Sequence, residues 1–243
     1  MIQKSPSGRT GAYPPAPVFQ APIRIGRDGT KILADPTTTA TIRHALAAHG
    51  GAVFHDVMDA DLLESLREVA SRAPFRQADL KEYGLRGNDL SAQSALPFCV
   101  TLARQAFMRW LEDISGCEPV SHIEGHLVQM VAGNNLGWHR DAGLGIRRLA
   151  LVLNLTTAEY EGGDFELRHR DPYIPMLTYH AGSRGSLAVF RLAQDLQHQV
   201  TRVLSGGPRT TFSGWARGPS CAGDTVRGGA LTAWPPLAPG IRA

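Results

Sequence analysis

Apolar positions recur at a helical period in the first half of the chain and alternate in short runs in the second. Ile42, Ala45 and Leu46 follow Pro36-Thr37-Thr38 and precede Gly50-Gly51, which predicts a helix with a proline start and a glycine stop. Leu62, Leu63, Leu66 and Val69 predict a second helix, capped by Asp59 or Asp61 and ending before Pro74. A third is expected from about Pro97 to Ile114, with Leu102, Phe107, Trp110 and Leu111 inward and Gly116 just beyond. Ile23 to Leu33 predicts a hairpin turning at Asp28-Gly29, and Ala52-Val53-Phe54 a short strand. Residues 1–22 hold five of the sixteen prolines and little periodicity, so they are expected to form a flexible N-terminal arm. The polar, mixed segment 73–94 reads as a long loop or lid.

From His122 the pattern changes to short strands. They are expected over Ile123–Val131, Arg147–Leu155, Asp164–Leu167, Ser186–Phe190, His198–Leu204 and Thr210–Trp215, with Glu161-Gly162-Gly163 as a turn. Strands of this length with glycine-rich turns point to an antiparallel sandwich or barrel. Helices first and strands afterwards predict helices packed on one side of it, a mainly β arrangement with flanking helices. A single domain is expected over residues 23–217, its β core at about 122–217, followed by a Gly/Pro/Ala-rich tail over 218–243.

At 243 residues the chain can bury one sizeable core, and 43% hydrophobic with 19% charged residues is a globular balance. Twenty-five basic against 22 acidic residues, without a basic run, gives no reason to expect nucleic acid as a partner. Any positive pull is local, toward a small anionic substrate. Cys99, Cys117 and Cys221 show neither a disulfide framework nor a zinc spacing, which fits a reducing compartment. The first residues lack the apolar stretch of a signal peptide and nothing approaches a membrane span, so a cytoplasmic location without membrane contact is expected.

Candidate chemistry centres on Gly137-Trp138-His139-Arg140-Asp141. His139 and Asp141 are two residues apart, and side chains two apart on an extended backbone share a side. His198 lies 57 residues beyond Asp141 and can complete a set of two imidazoles and one carboxylate, the facial triad of non-haem Fe(II) oxygenases. Arg209, eleven residues further, can hold the distant carboxylate of a 2-oxo acid in a bidentate pair. His180 has the same spacing to Arg191. His198 is preferred because the apolar strand Ser186–Phe190 precedes it, whereas His180 sits in an expected loop over 169–181.

The run from Gly137 to Asp141, then Glu161-Gly162-Gly163-Asp164-Phe165-Glu166-Leu167, Gly182 to Phe190, His198-x-Val200-x-x-Val203 and Gly207-x-Arg209-x-Thr211 resembles the catalytic half of Fe(II)/2-oxoglutarate-dependent dioxygenases, most of all their prolyl-4-hydroxylase-like branch. The resemblance covers residues 123–216. It implies a double-stranded β-helix (a distorted jelly roll), with Fe(II), 2-oxoglutarate and O2 as cofactors and co-substrates. His139, Asp141 and His198 would be the catalytic metal ligands, and Arg209, helped by Thr211, would grip 2-oxoglutarate. Such enzymes hydroxylate a small molecule, an amino acid or a peptidyl or carrier-bound group, releasing succinate and CO2. A carboxylate at 141 leaves no vacancy for halide, which favours hydroxylation over halogenation. The family's co-substrate tyrosine, about nine residues before the first ligand, is replaced here by Met130, so Gln129 is expected to make that contact.

Other candidates read more simply. His122 and His126 share a strand face and read as ordinary strand residues, while His44, His49, His55 and His169 read as surface or turn groups. Trp138 and Trp215 read as core aromatics, Arg140 as solvent-facing or substrate-orienting, and one of Arg147 and Arg148 is expected to point into the mouth. A cupin-like binding module or a zinc hydrolase on the same three ligands would account for the strands and histidines, but a binding module gives Arg209 no role.

Overall fold

The computed structural model describes residues 13–80, 84–89, 91–141, 146–182 and 185–219. The first twelve residues of the expected arm, Cys221, and the tail from residue 220 lie outside them. In chain order the elements are β1 (Val18–Gln20), β2 (Ile23–Gly26), β3 (Gly29–Ile32), α1 (Pro36–His49), β4 (Gly51–His55), α2 (Ala60–Ser71), β5 (Phe75–Asp79), β6 (Leu85–Asp89), α3 (Ala92–Leu102) and α4 (Gln105–Ser115). There follow β7 (His122–Met130), β8 (Leu136–His139), β9 (Arg147–Asn154), β10 (Tyr160–Gly162), β11 (Phe165–His169), β12 (Pro175–Tyr179), β13 (Leu187–Arg191), β14 (Leu196–Val200), β15 (Val203–Gly206) and β16 (Arg209–Arg217).

Helix α1 starts as its sequence requires. The Asp35 side chain accepts from the Thr38 amide, Pro36 needs no intrahelical donor, and Gly50 closes the helix at φ 72°. The eight-stranded sheet runs β1-β4-β13-β9-β16-β7-β6-β5, and a four-stranded sheet β12-β11-β14-β8 faces it. Alternation along β9 and β16 gives the large sheet two apolar faces. Leu149, Leu151, Leu153, Phe212 and Ala216 pack outward under Phe98, Leu102, Phe107, Trp110 and Leu111 of the helices. Ala150, Ala188 and Phe190 face inward against Phe165, Leu167 and Leu177 of the smaller sheet. Each fully buried leucine or phenylalanine contributes about 1.5–3 kcal/mol. The result is a jelly roll with helices on one side, as expected. Among the described residues no helix is long and apolar enough to cross a membrane.

Four expectations change. The segment 73–94 is not an irregular loop: β5 and β6 pair as a hairpin, and β6 joins the edge of the sheet at β7. The third helix is two. Arg104 adopts an extended backbone between α3 and α4, and its guanidinium donates to the carbonyls of Gly26, Gly29 and Arg27 at the β2–β3 turn. That long-range clamp outweighs local helix propensity. Within the expected arm, β1 pairs in parallel with β4, and Ala16 donates to Thr178 on β12, so residues 16–20 strap one sheet to the other. The expected 169–181 loop contains β12, which pairs with β11.

Candidate metal centre

Strands β8 and β14 pair with His139 opposite His198, which brings two imidazoles from distant sequence side by side at 4.1 Å between ring centres. Asp141 follows the end of β8. Its Oδ1 lies 3.9 Å from His139 Nε2 and 3.8 Å from His198 Nε2. All three ligand atoms fall within 4.8 Å of one another, close enough for one ion to draw them together.

Each ligand is oriented by a neighbour. His139 Nδ1 donates to the Gly137 carbonyl at 2.8 Å, which leaves the Nε2 lone pair for a metal. The His198 ring is held among Phe165, Phe190 and His139. Burial keeps both imidazoles in the neutral form that a metal needs: it lowers the pKa of His139, and takes that of His198 down to about 3. Asp141 Oδ2 accepts from Trp215 Nε1 at 2.8 Å, so only Oδ1 is turned to the imidazoles. Trp215, read from sequence as a core aromatic, is therefore a positioning residue. Trp215→Phe keeps the ring but removes the donor, and is expected to weaken Fe(II) binding by about 10–100-fold, the usual cost of losing an outer-sphere partner. Unchanged affinity in a metal titration would refute this role.

Next to the triad, Arg86 on β6 is buried, and its Nη2 stands 3.4 Å from His126 Nε2. Burial pulls the Arg86 pKa down to about 10 against the opposing pull of Asp141. Burial, with the Arg86 cation next in effect, drives His126 down to about 3. Arg147 stacks on Trp215 at 3.8 Å and shares Glu124 with Arg217, while Arg148 pairs outward with Glu118. His126 and His198 thus stay neutral in the metal-free protein down to about pH 3 but take up protons near 6.5 once unfolded. The unfolded chain binds more protons in that window, so stability should fall as the pH drops through it, by up to about 1.4 kcal/mol per pH unit for each group. Urea unfolding from pH 7 to 4 should show His126→Gln with a shallower slope than wild type; equal slopes would contradict a buried neutral His126.

Arg209 opens β16, and strand alternation puts Arg209, Thr211, Ser213 and Trp215 on its inward face. The guanidinium of Arg209 contacts Met130 Sδ at 3.8 Å. Tyr160 lies beside it. Burial raises the Tyr160 pKa, and the Arg209 charge opposes that rise. Gly163 makes room for both: at φ 65°, a Cβ there would sit 3.1 Å from Arg209 Cδ and from Tyr160 Cε2. Tyr179 is also within reach of the Arg209 charge and donates to Ser186 Oγ at 2.6 Å.

Gln129, expected as the co-substrate contact, is on the wrong face. It pairs with Thr210, whereas Met130 pairs with Arg209, and cross-strand partners share a side. Tyr160 and Tyr179 were not visible in the sequence, because they come from β10 and β12 rather than from the strand before the first ligand. His180 and Arg191 do not join the triad, although the His180 ring packs against Tyr160 at 4.7 Å between ring centres. His180 bonds Asp164 at 2.7 Å, and Arg191 is exposed at the end of β13. Trp138 points outward, stacked with Tyr13 and under Arg168, and Arg140 is exposed with a contact to the Gln194 carbonyl.

The donor set fits Fe(II) with a 2-oxo acid. Two neutral imidazoles and a carboxylate face one point, and on the same inward face of β16 Arg209 Nε and Thr211 Oγ1 are buried without a hydrogen-bond partner. Buried polar atoms left in that state call for a ligand such as a carboxylate.

Comparison with known proteins points the same way. Residues 125–217 match the sequence model of the 2OG-Fe(II) oxygenase superfamily. No curated protein matches the chain in sequence. Among solved structures, a 2OG-Fe(II) oxygenase family oxidoreductase from Burkholderia pseudomallei is similar at TM-score 0.59 and 17% identity, covering 74% of this chain and 90% of its own. A Pseudomonas putida prolyl-4-hydroxylase is similar at TM-score 0.55 and 18% identity, with 74% and 99% covered. A prolyl hydroxylase from Trichoplax adhaerens, solved with a hypoxia inducible factor oxygen degradation domain peptide fragment, gives 0.55 and 10%, with 75% and 90% covered. Sequence over the β core, fold over three quarters of the chain and the donor set of the triad agree in likening this chain to the 2OG-Fe(II) oxygenase superfamily, whose sequence model it matches over residues 125–217.

Proposed function

We propose that the chain is a hydroxylase of aliphatic C–H bonds, with His139, Asp141 and His198 as its iron ligands and Arg209 and Thr211 as the grip on 2-oxoglutarate. The observation that carries this is one barrel holding both the converging triad and a buried guanidinium with orphaned donors around it. When bound, iron, 2-oxoglutarate and O2 supply the oxidising power that turns C–H into C–OH, with succinate and CO2 released.

The residues around them bind and orient. Arg209 forms a bidentate pair with the distal carboxylate, while the Thr211 and Tyr160 hydroxyls donate to the same group. Tyr160 takes the part expected of Gln129. Trp215 and the Gly137 carbonyl fix the directions of Asp141 and His139. Phe165 and Phe190 keep water from the side of His198.

The domain boundaries proposed are those read from sequence, 23–217 with a tail beyond, extended by β1 at the N-terminal end. The substrate is a small molecule, an amino acid or a peptidyl or carrier-bound group, and a reducing cytoplasm suits the cysteine pattern. Binding of a peptide fragment by the Trichoplax relative keeps peptidyl substrates in view.

An anaerobic titration with Fe(II) and then 2-oxoglutarate tests the reading. A visible charge-transfer band is expected, and succinate should form once O2 is admitted. Zinc-dependent hydrolysis without such a band would overturn it.

A further inference from the structure

The two sheets close on each other through the apolar residues of their facing sides, and a gap is left between them. On the large sheet the inward positions of β4 and β13 are Gly51, Val53, Ala188 and Phe190, with Phe190 opposite Gly51 and Ala188 opposite Val53. Each small residue thus stands across from a larger one. Phe165 and Leu177 cover them from β11 and β12, and these six residues enclose a cavity of about 10 Å³. Gly51 is not its open side, since a Cβ there would stand 3.0 Å from Leu177 Cδ2 and 3.1 Å from Phe190 Cβ. Ala188 lines it with a single methyl group.

A void of this size takes one water-sized molecule. Water itself is a poor occupant, because it needs roughly two to four polar partners. The backbone groups of β4 and β13 are spent in their ladder. The side chains around the cavity offer one hydroxyl, that of Tyr179, which already donates to Ser186 Oγ. A small apolar molecule gives up no hydrogen bonds on entering and gains contact with the walls.

The cavity lies one layer of side chains from the metal centre. Phe165 and Phe190, 4.8 Å apart between ring centres, line it and also pack on the His198 imidazole, at 5.8 and 4.9 Å. We propose that this cavity holds dioxygen, and that Phe165 and Phe190 form the gate between it and the metal centre. The inference rests on the oxygenase reading and adds a route to it. O2 is the one reactant both apolar and small enough to fit. 2-Oxoglutarate is a dianion, and an organic substrate is too large. CO2 is the other small apolar party, but it is a product, so a cavity serving it would not affect how the enzyme responds to O2.

The test has two arms, both on the full chain. In the first, protein loaded with Zn(II), which does not react with O2, is placed under O2 pressure and methyl relaxation is read by NMR. O2 is paramagnetic, so the methyl groups of Val53, Leu177 and Ala188 should relax faster than those of Leu149 and Leu153, which are also buried but on the helix side of the large sheet. In the second, the Fe(II) enzyme forms succinate from 2-oxoglutarate at a series of O2 concentrations. Ala188→Val and Ala188→Leu fill the cavity and should raise KM for O2 by about fourfold or more, the enrichment that burying one methylene-sized apolar group gives. The rate at saturating O2 and the affinity for 2-oxoglutarate should stay as in wild type.

Equal relaxation across all buried methyl groups would overturn the inference, and so would an unchanged KM for O2 in both variants. A rise in KM matched by a loss of 2-oxoglutarate affinity would also count against it, since the variants would then have shifted the barrel as a whole. If Ala188→Leu fails to fold by thermal melting, the smaller Ala188→Val and the wild-type relaxation still decide the matter. Wild-type succinate formation beside either negative result sinks this inference alone. No succinate from wild type sinks the oxygenase reading and this inference with it.

Discussion

Replacing Asp141 or His198 with Ala should reduce 2-oxoglutarate-dependent succinate formation to background and abolish the charge-transfer band. Each loses a ligand outright, so the fall in Fe(II) affinity should exceed the about 10–100-fold that an outer-sphere partner costs. The fold should survive. Asp141 lies beyond the end of β8 and makes no ladder hydrogen bond within that strand, and the barrel around it is held by the apolar faces of β9, β11, β13 and β16. His198→Ala removes a buried ring packed on Phe165 and Phe190, so it should also lower stability. Asp141→Ala is the cleaner probe. Wild-type turnover in a well-folded Asp141→Ala protein would refute the metal assignment.

Arg209→Ala should weaken 2-oxoglutarate binding by about 2 kcal/mol or more, roughly 30-fold, because a buried charge-assisted pair is lost. Tyr160→Phe should cost about 1 kcal/mol through loss of one donor. Gln129→Ala should cost nothing, since β7 turns that side chain to the face away from Arg209. Arg191→Ala should be equally silent, because Arg191 is exposed at the far end of β13. Titration of 2-oxoglutarate into the four variants orders these effects. A weak Arg191→Ala beside a normal Arg209→Ala would move the co-substrate site to the other His–Arg pair.

Much of this molecule was legible along the chain. Leu149, Leu151 and Leu153 alternate with residues of the opposite face, and that period alone predicts a strand with two environments. The Asp35 cap, Pro36 and Gly50 mark both ends of α1 through local backbone chemistry. His139 and Asp141 advertise a shared ligand position because their spacing fixes their side. The Glu161-Gly162-Gly163 turn also has a local cause, a positive φ at both glycines.

What local pattern could not decide depends on which strand lies beside which. His180 and His198 carry the same spacing to an arginine, and only the β14–β8 pairing, which sets His198 opposite His139, separates them. Gln129 and Met130 are adjacent in sequence, and only the register of β7 on β16 determines that Met130 meets Arg209. The break between α3 and α4 follows from Arg104 bonding to carbonyls some 75 residues away in sequence. Tyr160 and Arg86 reach the mouth from β10 and β6, strands whose short, polar sequences give no hint of their neighbours. Sequence therefore determined most of the elements and their faces, and set His139 and Asp141 together as candidates, because those rest on dihedral preference and side-chain alternation within a few residues. Tertiary structure decided which tyrosine lies beside Arg209, the indole that bonds Asp141 and the second buried guanidinium, because each is a contact between strands far apart in the chain.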